Sequence, residues 1–451
     1  MAPARRLTRL LVTFLVAAAL PAGAGSAAAI GQFHPTVGPH IRWTQKPAQP
    51  TTADCLAALG IRCYSPNQIE EAYDMGPAFG HGVIGTGKTI AIVDAFGSPT
   101  IAFDLQVFDA EYGLPDPPSV KVITPAGAPP AFDPSNADMW GWALEETLDV
   151  EYAHATAPGA SILIVNTPSA DDADFLTAEA ALVAHYHFDV LSQSFGETEF
   201  VMDAKIRKAN DAVYASATAK GETIVASTGD QGSSGFTESG NYFPFPVVSY
   251  PASNPLNTGV GGTKLTLDDN GDRLASDVVW NETFDPNIVG PTPIPTATGG
   301  GVSHLYDQPS YQRGLGRGFG GGRTIPDVSL SAAIDGGVLV WESYDGAAPG
   351  DFSIYIVGGT SEAAPLFAGI VASADQAAHH DLGLVNPPLY GLAGGWHSPF
   401  VDVTKGNNAV RFTDANGVHD VPGYAAKKGY DLASGIGTVD GSKLIAALSG
   451  H

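Results

Sequence analysis

Ser361 stands in "GGTSEAAPLFAG", residues 358 to 369, between paired glycines and an alanine-rich run. The stretch Ile354 to Val357 before it reads as a strand and the run after it as a helix. A hydroxyl at a helix start meets backbone N–H groups that lack intrahelical partners and the positive end of the dipole. An oxyanion formed there is stabilised. Pro365 falls in the first turn, where its missing N–H costs little. Taken alone, Gly-Thr-Ser is equally an ordinary helix cap. Serine becomes a nucleophile only when a base takes its proton.

A Ser–His–Asp set in the chain order Asp, His, Ser would use Asp94, at the end of "KTIAIVDAFG", and then a histidine heading a helix. His154, His185 and His187 fall late in their helical segments, and His81 precedes Asp94. The histidine is missing from its place. What stands instead is "WALEETLDVEYAHATAPGA", with Glu145 and Asp149 four residues apart on one helix face. Two such carboxyls repel when both are charged, so one pKa rises and they share a proton. The pair can act as a base that works best in acid. The ordinary alternative is a solvated acidic face, but Trp140, Trp142, Leu144, Leu148 and Val150 make this helix largely apolar. Glu146 and Glu151 fall on other faces and are expected at the surface. A third carboxylate, Asp230 in "IVASTGDQGSSG", follows a buried strand. Protonated, it could donate a hydrogen bond to an oxyanion; otherwise it caps its own turn.

These groups need a scaffold. "KTIAIVDAFG", "SVKVITP", "ASILIVNTP", "FDVLSQSFG" and "ETIVASTGD" read as buried strands, separated by helical stretches that include one from about Asp138 to Ala155. Short apolar strands alternating with helices predict an α/β fold, a mostly parallel central sheet with helices on both faces. With no repeat and no clean linker, one large domain is expected. The segment from Ile30 to about Pro50 reads as a loose extended arm.

The chain has 451 residues, with 22 Lys+Arg against 47 Asp+Glu for a net charge of −25, which argues against nucleic acid. Arg5, Arg6 and Arg9, the apolar run "LLVTFLVAAALPAGA" and the small residues after it make 1–29 a secretory signal, cleaved after Ala24 or Ala29. No later stretch approaches the ~20 apolar residues that span a bilayer, so no membrane is expected once the signal is removed. In an exported chain the two cysteines, Cys55 and Cys63, are expected to form a disulfide within an arm of residues 30–63. Oligomeric state is not indicated, and a monomer is the expectation.

Glu-x-x-x-Asp on a helix, Ser/Thr-Gly-Asp-x-Gly after a strand and Gly-Thr-Ser-x-x-x-Pro at a helix start, in that order, resemble the sedolisin family of serine-carboxyl peptidases. "VLSQSFGE", "VSYPASNP", "GVGGTKL", "GGGVSHLYDQPSYQ", "RTIPDVSLSA" and "YDLASGIGTVDG" extend the resemblance from about Tyr64 to the C-terminus. It implies a subtilisin-like peptidase domain over 64–451. By that resemblance Ser361 is the nucleophile, Glu145 its general base, Asp149 the partner that orients Glu145, and Asp230 an oxyanion donor with the Ser361 N–H. The backbone of Ser194 to Gly196 would pair with an extended peptide substrate. One structural Ca²⁺ is implied, on the carboxylates of Asp402 and Asp431 and the carbonyls of Val403, Lys427 and Gly429. Three departures stand out. Only about 35 residues separate the signal from Tyr64, where family precursors carry a large prodomain. Phe195 stands where some members have Trp, and Asp94, at a position like the subtilisin aspartate, is taken as structural. The expected function is a secreted endopeptidase active in acid through an acyl-enzyme. The alternatives are a catalytically silent binding scaffold, a tripeptidyl-peptidase and a neutral Ser–His–Asp subtilase.

Overall fold

A computed structural model describes residues 32–35, 40–45, 49–315, 319–345, 351–395 and 397–450. The expected signal, 1–29, lies outside the described residues. Among the described residues the central sheet has eight strands. Seven follow the spatial order Val278–Val279, Thr258–Lys264, Thr223–Ser227, Val190–Gln193, Thr89–Ala95, Ser161–Thr167 and Val120–Ile123. Val328–Ser331 also pairs with Thr258–Lys264. Every pairing is parallel except that of the short edge strand Val278–Val279.

Alternation within each strand divides the core. Ile90, Ile92, Ile162, Ile164, Val190, Val225 and Val260 pack with Leu144, Leu148, Leu366 and Phe367. Ala91, Val93, Leu163, Val165, Leu191 and Ile224 pack with Phe175, Leu182 and Tyr214. Both faces are therefore covered, the arrangement that fully apolar parallel strands require. The helices Ala137–Thr156 and Thr360–Ala378 lie on the first face, and Asp172–His185 and Ala204–Lys220 on the second. After Thr89–Ala95 the chain places Val120–Ile123 at one edge, fills the gap with Ser161–Thr167, then switches to the other side with Val190–Gln193. A crevice at the carboxyl ends of the strands flanking such a switch is where open α/β sheets bind ligands.

The Ala137–Thr156 helix starts at Asn136, whose side chain accepts from the N–H groups of Asp138 and Met139. Every residue from Trp142 to Thr156 is buried. Glu146 and Glu151, expected at the surface, are inside. The apolar pattern located one buried face, but this helix is enclosed on all of them. A second sheet, ordered Ile41–Trp43, Ser353–Val357, Gly337–Glu342, Cys63–Tyr64, covers its far side, and Trp341 N donates to both Glu151 carboxylate oxygens at 3.2–3.3 Å.

The arm is not loose where it is described. His34–Pro35 pairs antiparallel with Phe195–Gly196, and Ile41–Trp43 pairs antiparallel with Ser353–Val357. The Cys55–Cys63 disulfide is formed.

The two helices of the first face touch through Gly369. A Cβ there would lie 2.1 Å from Thr156 Oγ1 and 2.8 Å from the Ala153 carbonyl oxygen. Thr156 Oγ1 donates to the Leu366 carbonyl at 3.0 Å across the same crossing. Gly369→Ala is expected to lower stability by about 1–3 kcal/mol through overpacking, read as a fall in Tm. An unchanged Tm would mean that the helices are free to separate.

Candidate active site

The strand Ser353–Val357 delivers the chain to Gly359, whose φ of 115° favours glycine and turns it into the helix carrying Ser361. Across the helix crossing lies Glu145, one turn from Asp149. The structure brings Ser361, Glu145, Asp149 and Asp230 into one buried cluster. Burial pushes the Glu145 carboxyl well above its ordinary range, and the neighbouring Asp149 and Asp94 push it further. The Ser361 hydroxyl opposes that rise by hydrogen bonding, although neither Glu145 oxygen meets strict hydrogen-bond geometry. Such contacts are commonly loose before substrate arrives.

Asp149 is also raised by burial and is held by Ser194, whose Oγ donates to Asp149 Oδ1 at 2.7 Å. The same hydroxyl lies 3.4 Å from the Ser361 carbonyl oxygen. This side chain escaped the sequence reading, which gave Ser194 a backbone role only. The break between strands Val190–Gln193 and Phe195–Thr198 falls at Ser194. Asp94, taken as structural, is buried beside Asp149 with neither oxygen hydrogen-bonded among the described residues, and burial followed by Asp149 raises it.

Asp230 Oδ1 accepts from Thr360 N at 2.7 Å and Thr360 Oγ1 at 2.8 Å, while Oδ2 has no partner among the described residues. Burial raises its pKa to about 8. Below that pH the carboxyl holds a proton, and the unengaged oxygen can donate it. Glu362, next to the serine, is a further buried carboxyl that the sequence reading did not weigh; burial raises it well above the usual range.

The histidines considered as bases are engaged elsewhere. His154 Nε2 lies 2.9 Å from the Pro115 carbonyl oxygen and 3.2 Å from Asp109. It is about 14 Å along the helix from Glu145. His81 Nδ1 lies 2.8 Å from the Pro77 carbonyl oxygen, and His187 approaches Asp189 at 4.0 Å. His185 closes the last turn of its helix.

The residues expected to hold calcium meet in the C-terminal loops. Gly429 N donates to Asp402 Oδ2 and Lys427 N to Asp431 Oδ2, each at 2.9 Å. Ser434 Oγ lies 3.1 Å from Asp431 Oδ1 and 3.5 Å from the Val403 carbonyl oxygen. The Lys427 ammonium sits over the Phe319 ring at 5.3 Å. Among the described residues no basic side chain forms an ion pair with either aspartate. Asp431 Oδ1 also accepts from the N–H groups of Ala433 and Ser434 at 2.9 Å. An all-oxygen donor set whose carboxylates carry no ion-pair partner fits a hard divalent cation. A separate acidic group, Asp189, Asp375 and Asp381, is already served by Lys88, whose Nζ lies 3.0 Å from Asp189 and 2.6 Å from Asp381.

Burial raises Glu146 and Glu179 to about 7 and Glu70, Asp230 and Asp375 to about 8. Unfolded, such carboxyls titrate near 4, so between about pH 4 and 8 the folded chain binds protons that the unfolded chain has released. That contribution to stability is complete below about pH 4 and is lost as pH rises through the folded values. Each raised group withdraws about 1.4 kcal/mol per pH unit inside its window. Calorimetry should find Tm falling from pH 4.5 to pH 8; a flat or rising Tm would contradict the protonated state of these carboxyls.

The sequence matches the profile of the subtilase family over residues 141–385. It is 31% identical to kumamolisin of Bacillus sp. (strain MN-32) over 92% of this chain and 68% of that one. It is 26% identical to tripeptidyl-peptidase 1 of Rattus norvegicus over 68% of this chain and 52% of that one. The chain thus spans about two thirds or less of the length of these relatives. A solved structure of Pseudomonas sedolisin, a serine-carboxyl proteinase complexed with pseudo-iodotyrostatin, superposes with a TM-score of 0.71 at 28% identity, covering 87% of this chain and 99% of that one. The fold is the subtilisin-like α/β arrangement, and the chain belongs to the sedolisin family of serine-carboxyl peptidases.

Proposed function

We propose that the chain is an exported endopeptidase that cleaves peptide bonds in acid, with Ser361 as nucleophile and Glu145 as base. The observation that carries this reading is the burial of Glu145 between Asp149 and the Ser361 hydroxyl. Glu145 takes the hydroxyl proton as Oγ bonds to the substrate carbonyl carbon. It returns that proton to the amine as the C–N bond breaks, leaving an ester on Ser361. Water, deprotonated by Glu145, then attacks the ester carbon, and Glu145 returns that proton to Ser361 Oγ as the ester C–O bond breaks and the acid leaves. The base must be ionised at the moment of attack. Asp149, which Ser194 holds, keeps the shared proton between the two carboxyls. Asp230 donates its proton, and Ser361 its backbone N–H, to the oxygen that becomes negative. Asp230 can do so only while protonated, below about pH 8. Export is supported by the residue order of 1–29 and by a disulfide, which persists in oxidising compartments.

Asp402 and Asp431, with the carbonyls of Val403, Lys427 and Gly429, would hold a Ca²⁺ ion that ties the C-terminal loops together. Chelation with EDTA should lower Tm by several degrees, and calcium, but not magnesium, should restore it; indifference to both would exclude the site.

Glu145→Gln should cut turnover of a denatured protein by roughly 10²–10⁴-fold while leaving the circular dichroism spectrum unchanged. Wild-type activity should peak below pH 6. Near-wild-type turnover in the variant, or a neutral optimum, would remove Glu145 from the chemistry. Sequencing the fragments separates internal cleavage from release of three-residue products.

A further inference from the structure

The arm pairs with the backbone that the peptidase reading assigns to an extended substrate. Phe33 N donates to the Ala170 carbonyl at 3.0 Å, and Gln32 forms an antiparallel bridge with Asp171. On the other side, His34 is in register with Gly196 and Pro35 with Phe195. The arm is therefore a middle strand between two backbone edges. The opposite edge of Phe195–Thr198 is covered by Ser249–Tyr250. Backbone pairing of this kind accepts any extended segment, and side-chain pockets then supply the selection.

One such pocket is built. The Phe33 ring is buried, with its centroid 5.1 Å from that of Phe175 and 4.8 Å from that of Phe195, in edge-on and tilted contact. Trp142 closes the cage, 5.7 Å from Phe175 and 6.4 Å from Phe195. These walls come from two helices and the edge strand, and Trp142 lies one helical turn before Glu145. Alternation sends His34 the other way, to a cavity that Gly196, Thr198, Gln231 and Phe236 also line. We propose that the cage of Trp142, Phe175 and Phe195 is a substrate subsite selecting an aromatic side chain, and that Phe33 fills it as an intramolecular stand-in. The inference rests on the peptidase reading, in which Phe195–Thr198 borders the groove.

The test uses full-length Phe33→Ala, with Phe33→Leu as a second variant that keeps most of the side-chain volume should the first fail to fold. The probes are acetyl-Gln-Phe-His-Pro-amide and its Phe→Ala analogue, for binding by calorimetry, and longer peptides carrying Phe or Ala at the same place, for hydrolysis. The aromatic peptide should bind roughly 10-fold tighter than its analogue, and adding Trp142→Ala should erase the difference. The Phe33 variants should also raise kcat/KM several-fold for aromatic substrates over the unaltered chain. Equal binding of the two peptides, or unchanged kcat/KM in the variants, overturns the subsite. Selective binding without any cleavage would instead overturn the peptidase reading and leave the subsite standing.

Discussion

Two carboxyls buried one helical turn apart cannot both carry charge. Much of this molecule follows from that constraint. Among the described residues no cation pairs with Glu145 or Asp149; their neighbours are further carboxyls and the hydroxyls of Ser361 and Ser194. The cheapest state is one in which protons stay in the cluster and are shared. In the proposed mechanism a shared proton leaves a basic oxygen near a hydroxyl, the role an imidazole plays in other serine peptidases. It also ties the whole fold to acid, because the same burial acts on Glu146, Glu151, Asp230 and Glu362.

The scaffold holds the constraint in place by enclosure. The central sheet closes one side of the Ala137–Thr156 helix, the second sheet another, and the Ser361 helix a third. Gly369 lets the two helices approach until Thr156 reaches the Leu366 carbonyl. Thr360 ties the start of the Ser361 helix to Asp230, and so to the end of the strand Thr223–Ser227. The candidate groups are thus fixed by two helices and the turn after one strand, which converge at the switch point.

The local parts of this were legible in the sequence. Apolar runs marked the strands from Thr89 to Ser227, and a spacing of four put Glu145 and Asp149 on one face. Contacts between distant residues were not. Ser194 is 45 residues from Asp149 and Asp230 is 130 from Thr360, and no local pattern announces either pairing. The strand Thr258–Lys264 was hidden by its glycines. A Cβ at Gly261 would meet Pro326 and Ser329, and one at Gly262 would meet Ala332, so packing demands the residues that blur the strand signal. Glu146 and Glu151 were misplaced because an acidic residue signals water unless the whole enclosure is known. The arm read as loose because its pairing partners lie in Phe195–Thr198 and Ser353–Val357, far along the chain.

The arm's second anchor has a kinetic meaning. Ile41–Trp43 is paired with Ser353–Val357 in the second sheet, apart from the pairing that His34–Pro35 makes. A ligand tethered so closely is present at an effective concentration in the millimolar range or above. With Phe33 as the proposed stand-in, every incoming peptide competes with the chain's own segment, and an apparent KM would contain the work of displacing it. Dilution cannot relieve that competition, because the competitor travels with the enzyme.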